Sequence, residues 1–274
     1  MCDIHRGTLE DKEQLLQLYN NCFIDDEEFA HFFFEEIWNP DQTLLIRRNS
    51  KVISSLQMLP LQFSKEKVQL SGFYIFAVCT EPEYRGRGYA GKLIEKCFES
   101  AKNLGADFCA LIVQEASLLN YYERFGFKSL LHVTKKEGLA EYGKVESLDV
   151  KDVPAIAELY RRHTACMVSA IRDEEHWNQQ MRTYKAFGQK NNGKLENYCF
   201  VDIRDDELCG IEAMGDNACM ACSYAAYQQG FGKYTVFTLP SDESVPIGCI
   251  KAFSENCKLL FRDNAKGYLN LYFN

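Results

Sequence analysis

One run of the chain, Tyr84-Arg85-Gly86-Arg87-Gly88-Tyr89-Ala90 followed by Gly91-Lys92, has the residue types needed to hold a phosphate group. Small residues let backbone N–H groups approach an anion closely, and a helix starting there turns its positive end toward it. Two arginines, Arg85 and Arg87, alternate with Gly86 and Gly88 and add charge in a planar donor fork. Several templates overlap on this run. Gly86-x-Gly88-x-x-Gly91 has the spacing of a dinucleotide fingerprint, and Gly86-x-x-x-x-Gly91-Lys92 has most of a Walker A loop. A Walker loop needs Ser or Thr after the lysine to hold magnesium, and position 93 is Leu. A dinucleotide loop turns straight from strand to glycine at the start of a βαβ series, whereas Cys79-Thr80-Glu81-Pro82-Glu83-Tyr84-Arg85 intervenes here. Both readings fail. The third spacing, Arg85-x-x-Gly88-x-Ala90, survives beside the plain alternative of a tight strand-to-helix turn.

The elements around the run follow from hydrophobic periodicity. Ile4–Arg6 reads as a short strand. Thr8 caps a helix bearing Leu15, Leu16, Leu18, Tyr19 and Phe23, with Asp11 placed for a capping box. A Phe-rich, acidic helix is predicted over Asp26–Trp38. Thr43–Arg48 and Val52–Leu59 read as strands joined at Asn49-Ser50, and a third strand ends at Phe73–Val78. Behind the glycines a helix with Leu93, Ile94, Cys97, Phe98 and Ala101 inward runs to about Leu104, stopped by Gly105. A buried strand Phe108–Val113, a helix Leu118–Phe125 and a strand Ser129–Val133 complete a mixed α/β layer, antiparallel first and parallel later. From about Val145 the pattern restarts, with helices at Ile156–Tyr160 and around Trp177 and strands at Tyr198–Ile203 and Leu208–Ala213. A tandem repeat without the glycine loop is expected.

With the elements in place, Val78-Cys79-Thr80-Glu81-Pro82-Glu83-Tyr84-Arg85-Gly86-Arg87-Gly88-Tyr89-Ala90 resembles the central motif of the GNAT (GCN5-related N-acetyltransferase) superfamily. Asn120-Tyr121-Tyr122-Glu123-Arg124-Phe125-Gly126-Phe127 is similar to its Tyr-Glu-x-x-Gly-Phe segment. The resemblance covers roughly residues 4–133. It implies an α/β fold: a GNAT mixed sheet with splayed central strands over residues 1–140, followed by a degenerate GNAT-like domain over 141–274. The two-domain layout is similar to the enhanced-intracellular-survival branch, which carries a further domain that this chain is too short to hold.

The resemblance also implies roles. The backbone of Val78, Cys79 and Thr80 pairs with pantetheine. The amides of Arg85, Gly86, Arg87, Gly88, Tyr89 and Ala90 wrap the pyrophosphate of acetyl-CoA, the co-substrate. Tyr122 protonates or stabilises the leaving thiolate, with Tyr121 the neighbouring alternative and packing on the cofactor the plainer role. Residues 72–78 hold no carboxylate, so the base is left to Glu81 or Glu115 at the ends of the two splayed strands, to a water chain, or to a terminal carboxylate at Asn274. Acceptor specificity is expected from the first two helices, where Asp25–Glu28 and Glu35-Glu36 interleave with phenylalanines; a solvated acidic face is the plainer reading.

Composition narrows the classes. The 274 residues are 46% hydrophobic with a net charge of −8, and each half carries −4, which argues against nucleic acid as a partner and weakly for cationic ones. No apolar run reaches a membrane span and no secretory pattern opens the chain, so a cytoplasmic location without membrane contact is expected. Twelve cysteines then read as reduced core residues. Cys219-Met-Ala-Cys222 has metal-ligand spacing but no second pair, and no metal site is expected. Three functions remain: acetyl transfer to a primary amine of a small molecule or peptide, a non-catalytic acyl-CoA-binding module, and transfer of a longer acyl group.

Overall fold

The computed structural model describes residues 3–23, 27–204 and 207–270. Strand β1 (Ile4–Arg6) leads through a turn to helix α1 (Lys12–Cys22). At that turn Asp11 accepts from the Thr8 amide and hydroxyl, both at 2.8 Å, as the capping pattern requires. Helix α2 (Glu27–Phe32) continues as one wide π turn over Phe33–Ile37, so the expected helix is present except for Asp26, which lies outside the described residues with Asp25. Strands β2 (Thr43–Arg48) and β3 (Lys51–Lys65) join through Asn49 and Ser50, both at positive φ, the backbone a two-residue hairpin needs. β3 runs past the predicted end because Pro60 costs no pairing there: β2 stops opposite Gln57.

Strand β4 (Val68–Thr80) pairs with β3 along its length, the glycine run follows, and helix α3 (Tyr89–Asn103) packs Leu93, Ile94, Cys97 and Ala101 inward. Strand β5 (Phe108–Ile112), helix α4 (Leu118–Glu123) and strand β6 (Lys128–Leu139) close the first half.

The order then repeats. Strand β7 (Glu146–Leu148), helix α5 (Val153–Thr164), a short strand β8 (Val168–Ala170), helix α6 (Glu174–Thr183), strands β9 (Lys185–Asn191), β10 (Lys194–Arg204) and β11 (Glu207–Gly215), helix α7 (Ala218–Gln228) and strand β12 (Lys233–Thr238) mirror β1 to β5, with β8 inserted. In both copies the fourth long strand pairs antiparallel behind it and parallel ahead of it: β4 with β5, β11 with β12. The two halves therefore correspond in strand pairing as well as in element order.

Strand pairing does not stop at residue 140. Strand β13 (Val245–Ala252), followed by helix α8 (Glu255–Leu260) and strand β14 (Gly267–Tyr268), returns to the first half and lies antiparallel between β5 and β6. β6 serves both copies, pairing β13 with its beginning and β12 with residues 134–139. The sheet order is β1-β2-β3-β4-β5-β13-β6-β12-β11-β10-β9-β7. Without β13, β5 would present an open edge.

A buried ionic knot fastens the end of the described chain. Arg172 donates to both Glu212 oxygens at 2.8 Å and to the Asn270 carbonyl at 2.6 Å, beneath the Tyr160 ring. Tyr198 and Tyr268 donate their hydroxyls to the same carboxylate at 2.8 and 2.6 Å. No helix among the described residues is long and apolar enough to cross a membrane.

Candidate active site

The opening in the sheet starts at a bulge. β4 pairs with β5 only through Gly72, Phe73 and Tyr74, opposite Phe108, Cys109 and Ala110. On its other edge Phe76 faces Gln57 and Cys79 faces Ser55, so Ala77 and Val78 together oppose Leu56. Two residues against one bend the strand and raise its twist. Ala77 takes the left-handed conformation, φ +50°, which costs a residue with a Cβ on the order of 1 kcal/mol. Beyond Tyr74 the strand parts from β5, and Val78, Cys79 and Thr80 lie on this parted stretch. Cys79 turns its side chain into the core, while Val78 and Thr80 are half-buried.

Glu81 fixes where the strand ends. Its amide donates to Ile53 O at 2.9 Å, and its carboxylate, only 3% exposed, lies 2.7 Å from Lys51 Nζ and 3.3 Å from Asn21 Nδ2. The carboxylate in turn raises the Lys51 ammonium pKa. An ion-paired, buried carboxylate at this point anchors the loop. Glu115 is exposed beyond β5, taking a hydrogen bond from Ser117 Oγ at 3.2 Å. The two carboxylates thus sit in different settings, and Asn274 lies outside the described residues.

After a turn at Pro82–Tyr84 the glycine run is exposed from Arg85 to Gly88. Gly86 and Gly88 have φ of +75° and +77°, and a Cβ on either would meet nothing within 4 Å. Glycine is required here for backbone conformation, and the space above it is open. Gly88 caps α3, whose first internal bond is Lys92 N–H to Gly88 O at 3.2 Å. The amides of Tyr89, Ala90 and Gly91 precede that bond and have no carbonyl one turn back in the helix. Gly91 serves another purpose: a Cβ there would stand 3.1 Å from the Phe125 ring, so the glycine lets α3 lie against the segment after α4. Arg85 Nε donates to Thr80 O at 3.1 Å, and Arg87 donates to Glu83 O at 3.1 Å with its guanidinium over the Tyr84 ring. The loop is held in shape by its own arginines, and their charge stays at the surface beside the open amides. These features fit a pyrophosphate.

Tyr122 lies on α4, half-buried, with its ring edge-on to Tyr121 and Phe127. Burial pushes its phenol well above the usual value, with Tyr121, Cys249 and Cys79 adding to the shift. Tyr122 and Val78 pack against the same core cluster, which also holds Ile75, Tyr89 and Phe127. Tyr121 instead lies under the Arg124 guanidinium, 4.6 Å from its centroid.

A thiol that the sequence did not single out belongs to the same place. Cys22, the last residue of α1, has Sγ 3.5 Å from Thr80 O, the carbonyl that Arg85 also holds. The neighbouring Cys79 thiol, and after it Arg85, pull the Cys22 pKa down to about 6 against the effect of burial. Cys79 moves the other way, raised by burial and by Cys22. Of the pair, Cys22 therefore loses its proton first. Residues 22 and 79 are too far apart in sequence for spacing to reveal this contact. The Ala77 bulge was equally hidden, since it exists only in the register between two strands.

Fold and site together define an acyltransferase of the GNAT class: a mixed sheet parted at a bulge, and a glycine loop opening a helix beside the gap. The family model described as acetyltransferase (GNAT) domain matches residues 3–130, and this part of the chain is a GNAT domain. Solved structures extend the likeness across the second half. The chain superimposes on a GCN5-related N-acetyltransferase from Anabaena variabilis with a TM-score of 0.71 at 18% identity, covering 92% of this chain and 73% of that one. A probable N-acyltransferase from Enterococcus faecalis gives 0.70 at 13%, with the same coverage. Eis1 from Mycobacterium abscessus gives 0.64 at 11%, covering 91% and 73%. A search of curated protein sequences gave no match.

Proposed function

We propose that the chain transfers acetyl from acetyl-CoA to a primary amine of a small molecule or peptide, by direct attack on the thioester. The observation that carries this reading is the parting of β4 from β5 after Tyr74, ending on a loop whose glycines leave backbone amides open at a helix start. Pantetheine lies along Val78–Thr80, in the place β5 vacates. The pyrophosphate rests on the amides of residues 85–90, with Arg85 and Arg87 beside it.

The chemistry follows from the groups around the gap. The amine nitrogen forms a bond to the thioester carbon, and oxygen takes up the displaced electron pair. A bulge leaves its extra residue out of the ladder, so the backbone at Ala77 and Val78 is available to donate to that oxygen. As the carbon–sulfur bond breaks, Tyr122 donates to the thiolate. Its phenol is held above its ordinary value of about 10, whereas a thiol titrates near 8.5, so complete transfer of the proton is uphill. Hydrogen bonding to the developing charge is the larger part of its contribution. The proton released by the amine leaves through water, with Glu115 at the exposed side of the gap and Glu81 committed to Lys51. The second copy, 141–244, is proposed as a degenerate GNAT-like unit that shapes the acceptor side, while β13 belongs to the first sheet.

A second reading, a module that binds acyl-CoA without turnover, is favoured by one observation: Glu81 is already ion-paired. Release of free thiol from acetyl-CoA in the presence of a panel of amines separates the two. Amine-dependent thiol release supports acetyl transfer. Tight CoA binding with no release for any amine supports the module, and absence of CoA binding removes both.

A further inference from the structure

Thiols from different elements meet in pairs in this fold. Cys97 of α3 is hydrogen-bonded to Cys109 of β5, and Cys199 of β10 to Cys222 of α7, with all four side chains buried. The pair at the parted strand, Cys22 of α1 and Cys79 of β4, differs in that Cys22 is partly exposed. Its approach to the strand is fixed by its neighbours. Asn21 Nδ2 donates to the Glu81 carboxylate at 3.3 Å, and Cys22 Sγ lies 3.5 Å from Thr80 O. Two successive residues at the end of α1 are thus tied to two successive residues at the end of β4. Cys79 Sγ sits between Ala77 O, 3.1 Å away at the bulge, and the Cys22 thiol, with which it is hydrogen-bonded.

The two thiols are fitted for different halves of an oxidation. Cys22 can be reached by a small oxidant, and hydrogen bonds from Cys79 and Arg85 to its sulfur favour the thiolate, which is the nucleophilic form. Cys79 is 2% exposed, and burial keeps its proton on the sulfur. An oxidant therefore meets Cys22 first, and Cys79 stands behind it, protonated and within hydrogen-bond reach. The Cys97–Cys109 and Cys199–Cys222 pairs lack the exposed member, since each of the four residues is fully shielded from solvent.

We infer that Cys22 and Cys79 form a peroxide-reactive dithiol that closes into a disulfide between α1 and the parted stretch of β4. The Cys22 sulfur attacks one oxygen of hydrogen peroxide; the O–O bond breaks, hydroxide leaves, and Cys22 becomes a sulfenic acid. The Cys79 sulfur then attacks the Cys22 sulfur. The S–S bond forms, the S–O bond breaks, and the departing hydroxide takes up the Cys79 proton as water. The two sulfurs together give up two electrons, and one peroxide is reduced to two waters, the first hydroxide taking its proton from solvent. A dithiol reductant such as dithiothreitol reverses the bond. Closure draws Cys79 away from Ala77 O and removes the charge of Cys22 beside Arg85, so it acts on the bulge and on the glycine loop together. This chemistry is independent of acetyl transfer in the same gap.

The test treats the full, reduced chain with near-equimolar hydrogen peroxide at about pH 6, where Cys22 is partly thiolate and an ordinary thiol is almost wholly protonated. Remaining thiols are blocked with N-ethylmaleimide in denaturant, and tryptic peptides are mapped by mass spectrometry. Peptides 13–47 and 68–85 carry Cys22 and Cys79 as their single cysteines. They are expected to appear joined, in protein that runs as a monomer without reductant, and to separate with dithiothreitol. Against the exposed Cys166 as internal standard, Cys22 should be consumed roughly tenfold faster, its thiolate advantage at this pH less the lower nucleophilicity of a more acidic thiol. In Cys79→Ser the sulfenic acid at Cys22 should persist and be trapped by dimedone, whereas the wild type should give little adduct. Oxidation of Cys22 in the wild type without joined peptides overturns the inference, and so does joining no faster than the oxidation of Cys166. The wild-type peptide map decides the matter even where the variant does not fold.

Discussion

The hydroxyl of Tyr122 and the φ angles of Gly86 and Gly88 are single-residue properties on which the proposed chemistry depends. Tyr122→Phe keeps the ring against Tyr121 and Phe127 and removes only the donor. Turnover with a true amine acceptor is expected to fall on the order of 10²–10⁴-fold with little change in CoA affinity. Tyr122→Ala should also weaken binding, through lost packing. Full activity of the Phe variant would leave the thiolate to depart without this hydroxyl. At Gly88 the argument is conformational and electrostatic together. Gly88→Asp forces a side chain into φ +77° and puts a negative charge at the helix start proposed to hold the phosphate. CoA binding by calorimetry is expected to vanish while thermal unfolding stays cooperative; unchanged affinity would remove the loop assignment. These residues were legible from spacing because loop and helix start are local. Gly91 was legible only as a glycine: its reason, the Phe125 ring, comes from another element.

Contacts between elements were much less visible in the sequence. Helix faces, the Asn49-Ser50 hairpin and the tandem order could be read, since each follows from periodicity within one segment. The bulge at Ala77, the strands β9, β12 and β13, and the seating of Glu81 on Lys51 depend on partners far along the chain. The meeting of α1 with β4 at Cys22 shows what such contacts add. A Cys22 thiol titrating at about 6 is largely thiolate at neutral pH, and the thiolate is the reactive form. Alkylation of Cys22 by iodoacetamide, mapped by mass spectrometry, is therefore expected to rise through a midpoint near pH 6. Below that the thiol is protonated and the rate falls. Arg85→Gln removes one of the groups pulling the pKa down and should move the midpoint upward, by less than losing Cys79 would. Saturating CoA should slow the labelling, because the proposed binding mode covers Thr80 and Arg85. A midpoint near the ordinary thiol value, or labelling indifferent to Arg85, would contradict the contact.

At the scale of the whole molecule the chain is two copies of one element order sharing a strand and lending another. β6 pairs with both copies, and β13 crosses back to sit between β5 and β6. A split at residue 140 would therefore leave β5 with one unpaired edge and β6 without its partners β12, β13 and β14. It would also uncover Leu131 and Val133, both buried in the full chain. The Arg172–Glu212 knot adds a second dependence, since Arg172 holds Asn270 two residues beyond β14, which itself pairs with β6 and β8. Residues 1–140 alone are expected to aggregate or to remain loosely packed, and to bind CoA at least tenfold more weakly than the full chain. Sedimentation and calorimetry on the fragment check this. Supplying residues 141–274 as a separate chain should restore solubility only where β13 inserts, which a Gly248→Val substitution would prevent, because a side chain there meets Leu111 O at 2.3 Å. A soluble, monomeric 1–140 fragment with full CoA affinity would show instead that the glycine loop and parted strand stand without the strand lent by the second half.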